Sequence, residues 1–220
     1  MPAAAAAGHI LCVVGARPNF MKIAPIMRAF SQPNSALSAR LLHTGQHYDA
    51  AMKHAFFDQL HIPEPDIDLE VGSGSHARQT ADIMKRFEPV LDANPPAAVL
   101  VVGDVNSTIA CALVAVKKGI AVIHVEAGLR SGDRTMPEEI NRILTDQLSD
   151  LLFTTEAEAE DNLAREGISR DKVHFVGNVM IDTLLYNLEH AVPASVTLAS
   201  AGLPTALGQG YGLVTLHRPS

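Results

Sequence analysis

Three acidic side chains, Asp104, Glu126 and Glu138, stand in polar segments separated by apolar runs: Gly103-Asp104-Val105-Asn106-Ser107-Thr108, His124-Val125-Glu126-Ala127-Gly128-Leu129-Arg130-Ser131 and Met136-Pro137-Glu138-Glu139-Ile140-Asn141-Arg142. Each is expected at or just beyond a strand end, where open α/β sheets bind small ligands. Carboxylates gathered there can serve as general acids, as bases and as stabilisers of a developing cation. Asp104 also reads as a turn residue beside a helix capped by Asn106 or Ser107. Glu126 ends the apolar run Ala121 to Val125, and a carboxylate at the edge of a buried sheet needs a partner or a raised pKa. Glu138 and Arg142 lie i,i+4, which alone describes a surface ion pair contributing about 0.3 to 0.5 kcal/mol. With Glu138 in the first helical turn behind Pro137, the same spacing also turns Asn141 and Arg142 toward a crevice shared with Asp104 and Glu126.

Other polar signatures narrow the chemistry. Gly15-Ala16-Arg17-Pro18 sits at the first strand-to-helix turn, where backbone N–H groups and a basic side chain can meet a phosphate. It is not GxGxxG, and the second strand ends in His43-Thr44-Gly45-Gln46 without an acidic ribose ligand, so a nicotinamide enzyme is not expected. Of the ten histidines only His43 and His47 share i,i+4 spacing, and Gly45 between them argues against a helix there, so a zinc site is not expected; no GxSxG nucleophile elbow is present. His217 ends an expected strand beside Arg218, where a phosphate or leaving group can be met.

The elements that position these residues follow from periodicity. Ile10 to Val14 reads as a strand, followed by a helix carrying Ile23, Ile26, Met27 and Phe30. Strands are then expected at 39–44, 97–102, 121–125, 151–154 and 173–176, with helices at 49–60, 76–91, 107–118, 137–148, 156–166 and 182–190. Helices between strands return the chain so that successive strands run parallel, and strands apolar throughout, such as Val99-Leu100-Val101-Val102, demand cover on both faces. The expected fold is therefore α/β, a doubly wound, parallel, Rossmann-like sheet. The first domain is expected over 1–190. Residues 191–220 read as a Pro/Gly-rich linker followed by a strand at 211–216 that opens a second domain and, alone, has no sheet to pair with.

Composition sets the outer limits. A chain of 220 residues, 47% hydrophobic, can bury a sizeable core, and 17 basic against 24 acidic residues without a basic block argue against nucleic-acid binding. Cys12 and Cys111 read as buried small hydrophobes, pointing to a reducing, cytoplasmic setting. The Ala-rich leader lacks a basic region, and the apolar run after it is too short for a membrane span.

Taken in order, Gly15-Ala16-Arg17-Pro18 with Lys22, Thr44-Gly45-Gln46-His47, Gly103-Asp104, His124 to Arg130, Pro137 to Arg142, Gly177-Asn178 and His217-Arg218 resemble the non-hydrolysing UDP-N-acetylglucosamine 2-epimerases. The resemblance covers nearly the whole chain and implies the N-terminal half of a glycosyltransferase-B type two-domain fold. It implies interconversion of UDP-GlcNAc and UDP-ManNAc without metal or other cofactor, and a homodimer with a UDP-sugar as its only other partner. Its catalytic positions fall on Asp104, Glu126, Glu138, Arg142 and His217, and its substrate-binding positions on Arg17, Lys22, Asn141 and Arg218. Two features widen the substrate choice. Asn19 stands where many members have Glu, and Gly72-Ser73-Gly74-Ser75-His76 is similar to epimerases of diacetamido uronic-acid sugars. An alternative is a non-catalytic nucleotide-sugar-binding or dimerisation half.

Overall fold

The computed structural model describes residues 8–45, 57–204, 212 and 214. The chain divides into two compact units, Met1–Leu184 and Leu185–Ser220.

The first unit is built on seven parallel strands in the order β3-β2-β1-β4-β5-β6-β7. They are β1 (Ile10–Val14), β2 (Ala39–His43), β3 (Ile67–Asp68), β4 (Ala98–Val102), β5 (Ala121–Ala127), β6 (Leu151–Thr154) and β7 (Val173–Phe175). Between them run α1 (Arg17–Phe30), α2 (His76–Ala93), α3 (Asn106–Lys117), α4 (Pro137–Leu148) and α5 (Ala157–Arg165), with α6 (Val179–Glu189) after β7. Residues 57–60 are helical as well. The doubly wound architecture read from the sequence is thus the one observed.

Alternation along the strands divides the core. Cys12 and Val14 face one side with Leu100 and Val102, where Phe20, Ile23 and Met27 of α1 cover them together with Phe57 and Leu60. Leu11 and Val13 face the other side with Val99 and Val101, under Ile83, Phe87 and Leu91 of α2 and Ala110 and Cys111 of α3. A smaller cluster of Ala127, Leu152 and Leu163 seats α5.

The winding reverses at β1, which pairs with β2 on one side and β4 on the other. The carboxyl ends of β1, β4 and β5 therefore open onto the crevice at the switch point, the place where such sheets take ligands. Pro25, inside α1, has no N–H to offer the carbonyl of Met21. Thr183 of α6 supplies the missing donor, its Oγ1 donating to that carbonyl at 2.6 Å.

Three elements differ from expectation. β3 is only two residues long, too short for any periodicity to announce it; it is held by pairing to Leu42 and His43, and Asp66 just ahead of it accepts the Leu41 N–H at 2.8 Å. β5 continues two residues beyond Val125. α6 begins at Val179 because Asn178 Oδ1 accepts the Met180 N–H at 2.9 Å, a helix cap not read from the sequence.

In the second unit α6 ends and α7 (Ala194–Ser200) follows behind Pro193, placing a short helix inside the stretch expected to be linker. The strand expected at 211–216 lies outside the described residues apart from 212 and 214. Among the described residues no helix is long and apolar enough to cross a membrane.

Candidate active site

Glu126 lies inside β5 rather than beyond it. The register against β6 shifts between Val125 and Ala127, leaving Glu126 as the extra residue of a bulge with φ of +73°. A non-glycine residue in this left-handed region costs about 1 to 3 kcal/mol and persists only where its surroundings hold it. The turn re-aims the carboxylate, as bulges beside active sites do, into an ion pair with Lys22 of α1. The pair is largely buried, with 9% and 17% of the side chains exposed. Gly103 leaves room for it: its φ is +66°, and a Cβ there would sit 2.8 Å from Lys22 Nζ.

Asp104 meets Arg142. The guanidinium Nε and Nη2 both donate to Asp104 Oδ2, at 2.9 and 2.5 Å, while Nη1 donates to Glu139 Oε2 at 3.0 Å. Asn141 Nδ2 donates to the Asp104 carbonyl at 2.8 Å, so α4 grips both the backbone and the side chain of this residue. Glu139, 2% exposed, also accepts the N–H groups of Ser131 and Gly132 at 3.0 and 2.9 Å. Burial pushes the Glu139 carboxyl up, but those N–H groups and Arg142 outweigh it and hold the carboxyl below its ordinary range. Burial likewise disfavours the Arg142 charge, and Asp104 and Glu139 more than restore it.

At the first strand-to-helix turn the Asn19 side chain accepts the N–H groups of Gly15 and Ala16 at 3.1 and 3.2 Å. Its Nδ2 donates to the Val102 carbonyl at 3.0 Å. The carboxylate of a glutamate has no donor for that carbonyl. Asn19 thereby ties the β1 turn to the end of β4, one residue before Gly103.

The crevice thus gathers Lys22, Asp104, Glu126, Asn141 and Arg142. Glu138 is half-buried in the first turn of α4 and makes no hydrogen bond or ion pair with a described residue, whereas its neighbour Glu139 takes the bond to Arg142 that i,i+4 spacing suggested for Glu138. Neither Asn106 nor Ser107 caps α3: Val105 stands at the cap, Asn106 bonds Gln79 at 2.7 Å, and Ser107 bonds Thr44 at 2.7 Å. Arg17 opens α1, but its side chain, like His217 and Arg218, lies outside the described residues. The sequence reading missed Glu139, His124 and Asp146. His124 carried a usable signal, because a histidine within the apolar run Val122-Ile123-His124-Val125 must find polar partners once buried.

Fold and crevice together define a doubly wound, Rossmann-like α/β protein with an acidic and basic lining at its switch point. The family model described as UDP-N-acetylglucosamine 2-epimerase matches residues 30–220, and the chain belongs to that family. A UDP-N-acetylglucosamine 2-epimerase homolog of Methanococcus maripaludis is 49% identical over 82% of the chain and 49% of its own length. A UDP-2,3-diacetamido-2,3-dideoxy-D-glucuronate 2-epimerase of Pseudomonas aeruginosa is 44% identical over 95% of the chain and 57% of its length. The crystal structure of Methanocaldococcus jannaschii UDP-GlcNAc 2-epimerase, in complex with UDP-GlcNAc and UDP, superposes with a TM-score of 0.82 at 42% identity, covering 88% of this chain and 53% of that one. The chain spans about half the length of the relatives it matches.

Proposed function

We propose that these residues form the N-terminal, carboxylate-bearing half of an enzyme that interconverts UDP-N-acetylglucosamine and UDP-N-acetylmannosamine. The observation that carries this reading is the meeting of two acid–base pairs, Asp104 with Arg142 and Glu126 with Lys22, at one switch-point crevice.

The chemistry explains the lining. C2 of the sugar is not alpha to a carbonyl, so its proton is not acidic in the ground state. Departure of UDP breaks the C1–O bond, and the electron pair leaves on the diphosphate. The oxocarbenium-like centre left at C1 acidifies C2–H, and a carboxylate takes the proton as the C1=C2 bond of 2-acetamidoglucal forms. Protonation of C2 from the opposite face and return of the UDP oxygen to C1 complete the inversion. Asp104, Glu126 and Glu138 are the groups proposed for the two faces and for the cation. Arg142 and His217 are proposed to meet the leaving diphosphate, with Arg17, Lys22, Asn141 and Arg218 binding substrate.

The test is proton NMR of UDP-GlcNAc with the protein in deuterated buffer. Deuterium at C2 together with a manno-configured product supports the reading, and neither in the full-length protein overturns it. Residues 1–220 assayed alone decide whether this half is catalytic or only binds nucleotide sugar. A second substrate, the UDP-diacetamido uronic acid, is the one named for the 44% identical Pseudomonas aeruginosa relative, and the same assay with that sugar distinguishes the two. Family resemblance also supports a homodimer, checked by light scattering. The two buried, unpaired thiols support a cytoplasmic setting.

A further inference from the structure

Glu126 holds a left-handed backbone one residue before the end of β5, and its neighbours explain how. His124, two residues before it, and Gly128, two residues after it, both bond to one carboxylate on another element. Asp146 of α4 receives His124 Nδ1 on Oδ1 at 2.6 Å and the Gly128 N–H on Oδ2 at 3.0 Å. The side chains of His124 and Asp146 are fully buried. The far nitrogen of the same imidazole, Nε2, lies 2.9 Å from the carbonyl of Gly103, the residue before Asp104. Gly103 N–H in turn donates to the Val125 carbonyl at 3.0 Å. Each ring nitrogen of His124 thus lies within hydrogen-bond distance of an oxygen, Asp146 on one side and the Gly103 carbonyl on the other. Arg130 Nη2 reaches Asp146 Oδ2 at 2.8 Å and is itself held by Glu166 through contacts of 2.8 and 2.6 Å.

We propose that Asp146 is a positioning residue for the C2 chemistry: it clamps both flanks of Glu126 in the bulge and, through His124, fixes Asp104 beside it. The proposal rests on the epimerase reading above. Asp146 also stands one helical turn after Arg142, so a single stretch of α4 grips Asp104 by its side chain and both flanks of Glu126. A buried ion pair is weak grounds for inferring stability, because apolar residues of similar size often hold a core as well. Its placement around a strained residue that carries a carboxylate gives it a geometric purpose. Strain of this kind survives only when the surroundings over-determine it.

The experiment is Asp146→Leu in the full chain. Leucine is close to aspartate in size but offers no oxygen, so His124 Nδ1 and the Gly128 N–H both lose their partner and both flanks of the bulge are released. The expected result is a folded variant in which the HN–Hα coupling of Glu126 leaves its left-handed value. With it kcat falls about 100-fold while KM stays within about threefold, as a misplacement on the order of 1 Å produces. A folded variant with the Glu126 coupling unchanged, whether or not kcat falls, overturns the proposal. If the variant does not fold, hydrogen exchange in the unsubstituted protein decides: the Gly128 amide must exchange as slowly as the core amides of β5, and free exchange there overturns the clamp. Protected Gly128 in a protein that turns over no UDP-sugar sinks the epimerase reading and leaves the clamp standing.

Discussion

Glu126 and Asp104 each lie against a positively charged side chain, Lys22 and Arg142. Replacing either by its amide keeps the shape and removes the base. Glu126→Gln and Asp104→Asn are each expected to lower C2 exchange about 10²- to 10⁴-fold, measured by deuterium incorporation with the fold checked by circular dichroism; exchange at the unsubstituted rate removes that residue from the scheme. The deeper carboxylates govern acid stability. Burial pushes Asp146 up, but His124 and Arg130 outweigh it and the net shift is downward, in the same direction as Glu139. A carboxyl with a depressed folded pKa contributes stability that is complete above its unfolded pKa, about 4, and is lost as pH falls through the folded value. Urea unfolding free energies are therefore expected to be level above about pH 5 and to drop below the ordinary carboxylate range, with a smaller drop in Glu139→Gln. A profile that stays level in acid contradicts this.

At the scale of elements, the bond between α6 and α1 is a substitution for something proline removed. Thr183→Val leaves the Met21 carbonyl without its donor and is expected to cost about 1 kcal/mol, read as a lower urea midpoint at unchanged m-value. Gly103→Ala is expected to cost more, because it adds strain at φ +66° to a collision with Lys22 Nζ, and to weaken UDP-sugar binding as well. Most of these elements were legible in the sequence, for a physical reason: strands buried on both faces are unbroken apolar runs, and α4 and β6 end where their periodicity ends. β3 was not, since two residues carry no period, and the bulge in β5 was not, since a register slip depends on the neighbouring strand. The same limit applies to the crevice. Asp104, Glu126, Asn141 and Arg142 announced themselves by type and spacing, whereas the choice of Glu139 over Glu138 as the partner of Arg142 is decided by loop residues 131 and 132. Asp146 was invisible because its partners lie 18 and 22 residues away.

Across the molecule, burial also sets reactivity. Burial pushes the Cys12 thiol up to about 12 and that of Cys111 further still, so neither forms thiolate near neutral pH. A thiol reagent is expected to label no described cysteine in the folded protein and both in guanidinium; rapid labelling of either in buffer refutes the packing of β1 or α3. Apolar side chains are also left uncovered. Ile181, Leu184, Leu185 and Leu188 of α6 are each more than half exposed, a row typical of surfaces that meet another protein surface. Residues 1–220 alone are expected to bind a hydrophobic dye and to associate as concentration rises, measured by fluorescence and light scattering.

β1 sits between β2 and β4, and this order has a consequence for birth on the ribosome. Of the seven strands of this sheet the one made first is central, and its second neighbour is not yet synthesised when β1 and β2 leave the exit tunnel. At about 5 to 20 residues per second, the roughly ninety residues separating β1 from the end of β4 leave one hydrogen-bonding edge of an entirely apolar strand open for roughly 4 to 18 s. Nascent chains arrested before Ala98 should therefore recruit chaperones, and those arrested after α3 has emerged should release them.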